Sequence, residues 1–321
     1  SMIFKLFTQV FLASTLLQLF PVDARDLEQA ATLPVSAERV SSTYSVFDIP
    51  TIQNNPVKTN APVKKDSTRL GIVTTAVSAL VMDRSSGAIL FEKNRQTPRA
   101  IGSITKLMTA YVFLQTNPGL DAPASLLPED VRLGGIQHIQ LMEEITTRDL
   151  LYASLVSSDN SATSALVRIS GMSEGDFVAK MNETAAAIGM QQTQFVDPAG
   201  LSSRNTSIVT DLARLLDEAS KVETIRNVTQ QATHDVVSTS GKIFTLASTD
   251  DLLGSFMNQP PYKILAAKTG FLPEAGYCLA TLFSRSDKDE LLVIVLGSDS
   301  DTGRFQDVKS LAAWAYDLYE W

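Results

Sequence analysis

Apolar residues form short strand-like runs on either side of the middle of the chain and follow a helical period within it. Five runs have the length and composition of β-strands: SALVMD (78–83), AILFEK (88–93), ILAAKTG (264–270), GYCLATLFS (276–284) and ELLVIVLG (290–297). The turn RSSG between the first two is typical of a hairpin. Because short links join consecutive runs, we expect antiparallel pairing and one five-stranded sheet built from both chain ends.

The middle of the chain predicts helices. An apolar run follows GSITK (102–106), which indicates a buried helix that carries Ser103 and Lys106. In a later helix, Asp176 is placed to act as the N-cap and Gly189 to end the helix.

Two more helices complete the pattern. Thr210 is placed to cap one of them, and residues 305–318 predict an amphipathic helix that closes the domain. Strands outside and helices inside predict an α/β (α+β) fold, in which helices flank the sheet and an all-helical lobe is inserted. We expect a functional site in the cleft between sheet and lobe.

The first residues predict export. Lys5 precedes an uncharged apolar stretch from Leu6 to Val22, and a cut after Ala24 fits a secretory signal peptide at residues 1–24. The stretch is slightly shorter than a membrane span of about 20 residues, so an uncleaved anchor is the alternative. In both cases we expect the rest of the chain in the periplasmic or cell-wall space, with membrane association through this segment only.

The remaining chain divides into a linker and a folded domain. Residues 25–70 are rich in proline, serine and threonine without a sustained period, which is typical of a linker. Residues 71–321 are expected to form the catalytic domain. Ser1, before Met2, is expected to be a cloning remnant.

Composition sets bounds on function. Of the 321 residues, 44% are hydrophobic and 19% charged, which suits a sizeable core, and the formal net charge is −8. Because no basic patch is present, we expect no nucleic-acid partner. The single cysteine, Cys278, cannot form an internal disulfide and is expected to be buried.

The side chains available for catalysis indicate a serine activated by a lysine. The two histidines, His138 and His234, stand outside any recognisable catalytic signature, so a Ser-His-Asp triad is poorly supported and a three-histidine metal site is impossible. Ser103 and Lys106 are three residues apart, which on a helix places their Cβ atoms about 5–6 Å apart on one face. Burial and a nearby cation would lower the pKa of Lys106 and leave part of it as the neutral amine that a base requires.

Two further stretches supply polar groups. SSDNSA (157–162) follows a helical segment, and KTG (268–270) ends an apolar strand. Together with the Ser103–Lys106 spacing, and in this order, they resemble the serine–lysine acyl-transfer set of penicillin-binding proteins and class A β-lactamases.

From about residue 71 to the end, the sequence resembles the D-alanyl-D-alanine carboxypeptidase and endopeptidase family of low-molecular-mass penicillin-binding proteins, which have the serine β-lactamase-like fold. The matching segments are IGSITKLMTA (101–110), SSDNSA (157–162), FVDPAGLS (195–202), TDL (210–212), KTGFLPEAGYCLA (268–280) and GRF (303–305).

The resemblance implies a role for each matching residue. Ser103 would be acylated by the penultimate D-alanine, and Lys106 would be the general base. Ser158 would pass a proton to the leaving amine, and Asn160 would orient Lys106 and the substrate amide. The residues implied in substrate binding, including the oxyanion hole and the carboxylate site, are Lys268, Thr269, Gly270, Phe271 and Arg304.

The implied function is a serine-type D-alanyl-D-alanine carboxypeptidase that removes the terminal D-alanine of peptidoglycan stem peptides. The resemblance implies no metal and no cofactor, and it implies that β-lactams act as covalent inhibitors.

Three alternatives remain at this point. Arg304 favours a carboxypeptidase, whereas the end of the chain at Trp321 resembles the endopeptidase branch. A class A β-lactamase needs a Glu-x-x-x-Asn element, and Glu223 with Asn227 is the formal match between the second and third motifs. A non-catalytic β-lactam sensor would be expected to lose part of the three motifs, which are intact here.

Overall fold

The computed structural model describes residues 61–65, 71–286 and 289–321. The predicted signal segment (1–24) and most of the predicted linker lie outside these residues. The end of that linker differs from the prediction, because residues 63–64 form a strand that pairs with residues 319–320 near the end of the chain. Folded structure therefore begins before residue 71.

Thirteen strands occur in the described ranges. In chain order they are β1 (Val63–Lys64), β2 (Ser78–Asp83), β3 (Ile89–Lys93), β4 (Arg99–Ala100), β5 (Pro123–Ala124), β6 (Ile145–Thr146), β7 (Thr206–Ser207), β8 (Thr233–Val237), β9 (Ile243–Ala247), β10 (Lys263–Leu272), β11 (Gly276–Ser284), β12 (Glu290–Ser298) and β13 (Tyr319–Glu320).

The α-helices of the same ranges lie mostly between β4 and β8. In chain order they are α1 (Thr105–Gln115), α2 (Thr147–Leu155), α3 (Asn160–Ile169), α4 (Glu174–Ala187), α5 (Val209–Lys221), α6 (Glu223–Thr229) and α7 (Asp301–Leu318). None of these helices combines the length and the apolar character needed to span a membrane.

The predicted five-stranded antiparallel sheet is confirmed, with the order β10-β11-β12-β2-β3. The hairpin β2–β3 pairs with β12, in a register that sets Val81 opposite Val293. Strand β10 forms one edge, and its Lys268 lies opposite Ala280 of β11. This strand runs two residues beyond the predicted end, so the KTG stretch lies inside an edge strand.

Both faces of the sheet are covered. Strand β12 reads ELLVIVLGS without alternation because successive residues enter two different cores. Leu292, Ile294 and Leu296 join the core on the side of the helical lobe, together with the buried Cys278. On the opposite face, Leu291, Val293 and Val295 share a core with Val308, Leu311 and Ala312 of α7.

Helix α1 lies at the centre of the lobe. Every side chain from Thr105 to Ala110 is buried, as expected of a helix that is packed on all sides. Lys106 is therefore surrounded by core residues, which is the unusual feature that the sequence predicted.

Two predicted caps are wrong. Helix α4 begins at Glu174, and Ser173 caps it by accepting a hydrogen bond from the Asp176 N–H, so Asp176 belongs to the first turn. Thr210 is the second residue of α5 rather than its cap. The short strand β7 keeps the chain extended up to Ile208, and the helix begins directly afterwards.

Asp307 of α7 connects three parts of the domain. Its buried carboxylate accepts hydrogen bonds from Thr75 N (2.9 Å), Thr75 Oγ1 (2.7 Å), Ala76 N (3.0 Å) and Ser298 Oγ (2.7 Å). It therefore ties the segment before β2 and the end of β12 to the closing helix.

We expect Asp307→Asn to lower the free energy of unfolding by about 2–3 kcal/mol, since hydrogen bonds to a charged group are each worth about 1.5–3 kcal/mol and an amide presents its NH2 to one of these donors. Chemical denaturation with circular dichroism measures this change. Asp121→Asn, at an exposed ion pair with Arg148, is the matched control and should cost less than about 0.5 kcal/mol. Equal effects of the two substitutions would contradict the role of Asp307.

Candidate active site

Ser103 and Lys106 meet where the chain enters α1. Ser103 lies in a single 3-10 turn, Gly102–Ile104, and Lys106 lies in the first turn of α1. The Lys106 Nζ atom is 2.9 Å from Ser103 Oγ. The sequence predicted one helix for both residues; the contact is instead made across the junction between the two helices.

The Lys106 amine has two further partners, and both are acceptors. Nζ donates to Asn160 Oδ1 and to the carbonyl oxygen of Ala199, each at 2.7 Å. A neutral amine has two N–H bonds and one lone pair. When the two acceptors take both N–H groups, the lone pair is left for the Ser103 hydroxyl, which can then donate its proton to Nζ.

Burial favours this neutral form. Lys106 has no solvent-exposed surface, and desolvation lowers its pKa to about 7, although the charges of Asp159 and Asp197 act in the opposite direction. Near neutral pH a substantial fraction of the amine is therefore unprotonated.

Glycines allow three backbone segments to meet around Ser103. Gly102 has a positive φ of 53°, and a Cβ atom there would lie 2.8 Å from the backbone nitrogen of Phe271. A Cβ atom at Gly270 would overlap the Ile101 carbonyl oxygen, and one at Gly200 would overlap the Gly102 carbonyl. Edge strand β10 and the turn at residue 200 can approach the Ser103 turn only because these side chains are absent.

Asp197 shapes the turn that presents the Ala199 carbonyl. One carboxylate oxygen, Oδ1, accepts hydrogen bonds from the N–H groups of Ala199 and Gly200, and Oδ2 accepts one from Ser202 N. The FVDPAGLS segment thus positions one of the two fixed acceptors of Lys106. Sequence reasoning matched the segment to a family but gave Asp197 no role.

Ser158, Asp159 and Asn160, the SDN stretch, form the turn between α2 and the start of α3. Ser158 has a φ of 59°, a conformation that is strained for a residue with a side chain and common at functional sites. Asp159 caps α3 by accepting hydrogen bonds from Ser161 N and Ala162 N.

Asn160 is the first residue of α3. Its Nδ2 donates a hydrogen bond to the Gly134 carbonyl at 2.6 Å, and this contact keeps the other amide atom, Oδ1, directed toward Lys106.

Lys268 on β10 lies on the other side of Ser158. Its buried Nζ donates to Ser158 Oγ at 3.0 Å and to the Thr269 carbonyl at 3.2 Å. Burial, and then the positive charges of Lys106 and Arg304, lower the Lys268 pKa well below its usual value. Thr269 Oγ1 forms a 2.6 Å hydrogen bond with Thr249 Oγ1, so the two hydroxyls lie side by side.

Arg304 lies in the first turn of α7 and is 7% exposed. Its Nη1 donates to the Gly270 carbonyl at 3.3 Å, its Nη2 lies 2.5 Å from Asp301 Oδ1, and its guanidinium group stands 5.6 Å from the centre of the Tyr277 ring. The guanidinium is therefore held in place beside the KTG stretch and is not a freely moving surface group.

These side chains surround one cleft of about 570 Å³. Seven of the nine predicted site residues line it: Ser103, Ser158, Asn160, Thr269, Gly270, Phe271 and Arg304. Lys106 and Lys268 lie directly behind the lining, each bonded to a lining serine. The structure thus brings together all nine residues from distant parts of the sequence.

Several cleft residues were not assigned by sequence reasoning. His138, expected in a loop without a role, lines the cleft, as does Thr249. Asp250 is buried near the cations Arg304 and Lys268, and burial raises its pKa to about 6. No local motif marks these residues, because loops that are distant in sequence bring them to the site.

Glu223 and Asn227, the formal β-lactamase match, are exposed on α6 and are not among the residues that line the cleft.

Comparison with known proteins identifies the family. A sequence model of the D-alanyl-D-alanine carboxypeptidase family matches residues 64–300. The chain is similar to a D-alanyl-D-alanine endopeptidase of Pseudomonas aeruginosa (33% identity; 74% of this chain and 76% of the relative) and to the D-alanyl-D-alanine carboxypeptidase DacF of Bacillus subtilis (28% identity; 81% and 67%).

Among solved structures, penicillin-binding protein D2 of Listeria monocytogenes in its ampicillin-bound form is similar, with a TM-score of 0.66 and 29% identity over 77% of this chain and 100% of that one. The chain belongs to the D-alanyl-D-alanine carboxypeptidase family, and the predicted penicillin-binding-protein-like fold is confirmed.

The burial of Lys106 has a consequence for stability. Its pKa is about 7 in the folded state, against 10.5 for an unperturbed lysine. Between these values the unfolded chain binds more protons than the folded one, so the free energy of unfolding rises with pH.

We therefore expect Lys106→Met to stabilise the domain most near pH 6–7, and this advantage to shrink by roughly 2 kcal/mol by pH 9. Denaturation of both proteins across this pH range measures the difference, and groups that do not interact with Lys106 cancel. A difference that does not change with pH would show that Lys106 titrates as an ordinary lysine.

Proposed function

We propose that this chain is a serine-type D-alanyl-D-alanine carboxypeptidase that acts on peptidoglycan stem peptides outside the cytoplasmic membrane, through an acyl-enzyme on Ser103. The observation that carries the proposal is the 2.9 Å contact between a fully buried lysine amine and a serine hydroxyl that lines the cleft. Family membership supports the substrate class.

Acylation begins with proton transfer to Lys106. As Ser103 Oγ attacks the carbonyl carbon of the penultimate D-alanine, its proton passes to the Nζ lone pair. The N–H groups of Ser103 and Phe271 are assigned to the developing oxyanion, because the Ser103 turn and Phe271 lie against each other. One such donor typically contributes about 2.7–4 kcal/mol of transition-state stabilisation.

When the C–N bond breaks, the leaving amine takes up the proton that Lys106 accepted, so that Lys106 is neutral again. Ser158 is suited to deliver it, because its hydroxyl is hydrogen-bonded to Lys268. Water then attacks the acyl carbon, with Lys106 again as the base, and the ester bond to Ser103 breaks. This step releases the shortened peptide and returns the proton to Ser103.

The cationic end of the cleft suits the terminal carboxylate of the substrate. Thr269 and Arg304 line this end, with Lys268 behind them, and a guanidinium group can bind a carboxylate through two parallel hydrogen bonds. A β-lactam carries a carboxylate beside its reactive amide, so the same groups are expected to direct it to Ser103 as a covalent inhibitor.

Endopeptidase activity is the second candidate, since a similar relative from P. aeruginosa bears that name. A β-lactamase is not favoured, because no glutamate is found among the described residues that line the cleft.

We expect the purified protein to release D-alanine from a pentapeptide ending in D-Ala-D-Ala, and Ser103→Ala to abolish this release with an unchanged circular dichroism spectrum. Mass spectrometry of digested peptidoglycan fragments separates loss of terminal D-alanine from cleavage of crosslinks. Scission of crosslinked dimers alone would establish the endopeptidase instead, and no product of either kind would refute the proposal.

We expect Lys106→Ala to slow acylation of Ser103 by fluorescent penicillin more than a hundredfold, because general base catalysis contributes about 10²–10⁴-fold. Stopped-flow or quenched labelling measures the rate. Lys180→Ala, at an exposed ion pair on α4, is the control and should label at the parent rate. Near-normal labelling of the Lys106 variant would remove this residue from the base role.

A further inference from the structure

His138 is a titratable residue of the cleft that the mechanism above does not use. It stands in the loop between residues 131 and 142, which precedes α2, and it lines the same cleft as Ser103. Its side chain is 22% exposed, so part of the ring is accessible to a bound molecule.

The two ring nitrogens of His138 have different surroundings. Nδ1 is shielded from solvent and has no hydrogen-bond partner; it lies 4.0 Å from Oδ2 of the buried Asp159. The same oxygen accepts a hydrogen bond from the His138 backbone N–H at 3.0 Å, which holds the residue in place. Because Nδ1 is turned inward, Nε2 is the nitrogen that a ligand can reach.

The loop is fixed to the catalytic turn at two further points. Asn160 Nδ2 donates to the Gly134 carbonyl at 2.6 Å, and Arg132 N donates to Ser161 Oγ at 3.1 Å. His138 therefore keeps a defined position relative to Asn160, the residue that orients Lys106.

An imidazolium at this place would form an ion pair with the Asp159 carboxylate, 4.0 Å from Nδ1, and would donate a hydrogen bond from Nε2 into the cleft. An anionic group is the ligand that best complements this Nε2 donor. The terminal carboxylate of the substrate is already assigned to the KTG stretch and Arg304. An anionic group bound at His138 must therefore be a different carboxylate of the same substrate. A stem peptide carries other carboxylates only upstream of the scissile bond, on its second residue and in many stems on the side chain of its third.

We propose that His138, oriented by Asp159, is a specificity-determining residue that binds a carboxylate on the acyl side of the stem peptide. This inference rests on the proposed function, because it assigns a further subsite to the same cleft.

Three synthetic pentapeptides that end in D-Ala-D-Ala test it. The first has a γ-linked glutamate and meso-diaminopimelate, both with free carboxylates; the second is amidated at the glutamate, and the third at the diaminopimelate. We expect amidation at one of the two positions to lower the kcat/KM of the parent protein about tenfold, within the range of a charge-assisted hydrogen bond. In His138→Ala and His138→Gln this loss should disappear, and the position affected identifies the carboxylate.

Leu133→Ala is the control variant, since Leu133 belongs to the same loop, is 90% exposed and is not among the cleft-lining residues; it should retain the parent preference. Labelling of Ser103 by fluorescent penicillin reports whether each variant keeps a folded site. The proposal is overturned if the parent cleaves all three peptides equally, if both His138 variants keep the parent preference, or if both lose labelling. If the parent cleaves none of the peptides, the proposed function fails, whatever the role of His138.

Discussion

The site depends on a lysine amine placed where water cannot reach it. Burial of an ammonium costs several kcal/mol, and a protein avoids that cost either by pairing the charge or by releasing the proton. At Lys106 the partners closest to the amine are neutral: a side-chain amide, a backbone carbonyl and a hydroxyl. The carboxylates of Asp159 and Asp197 act on it only through their charge. The amine therefore titrates near neutral pH, and the fold gives up stability for this reactivity.

Much of the remaining architecture serves to fix that amine. Asp197 holds the turn that presents the Ala199 carbonyl, and the Gly134 carbonyl holds the amide of Asn160. Residues 105–110 of helix α1 are all buried, and this packing holds its first turn in place. Edge strand β10 then reaches the Ser103 turn because Gly270 leaves room for the Ile101 carbonyl. The contacts of Lys106 with Asn160 and with the Ala199 carbonyl join segments far apart in sequence, so the site forms only when these segments have folded together.

The sequence predicted the sheet and the buried helix, and it selected nine candidate residues that the fold brings to one cleft, because strand runs, a buried lysine and three short motifs are local signals. It did not predict that Ser103 lies in a 3-10 turn, since a one-turn change of helix type leaves no mark on apolar spacing. Ser173 was overlooked as a cap in favour of Asp176, which stands three residues later in the first turn of the helix. His138, Thr249 and Asp250 could not be found locally, because only the folded chain brings their loops beside the cleft.

Charge distribution in the cleft bears on the choice between carboxypeptidase and endopeptidase. Lys106, Lys268 and Arg304 are three basic groups within one buried region, and the pKa values of both lysines are lowered by burial. A substrate carboxylate that enters this region would favour the protonated form of Lys268, because an opposite charge stabilises the ammonium. A crosslink can also present a carboxylate next to the scissile bond, so this electrostatic effect is common to both activities. Arg304, whose guanidinium group stands over the rings of Tyr277 and Phe305, is held in position for a carboxylate in both cases, so charge alone does not separate the two activities.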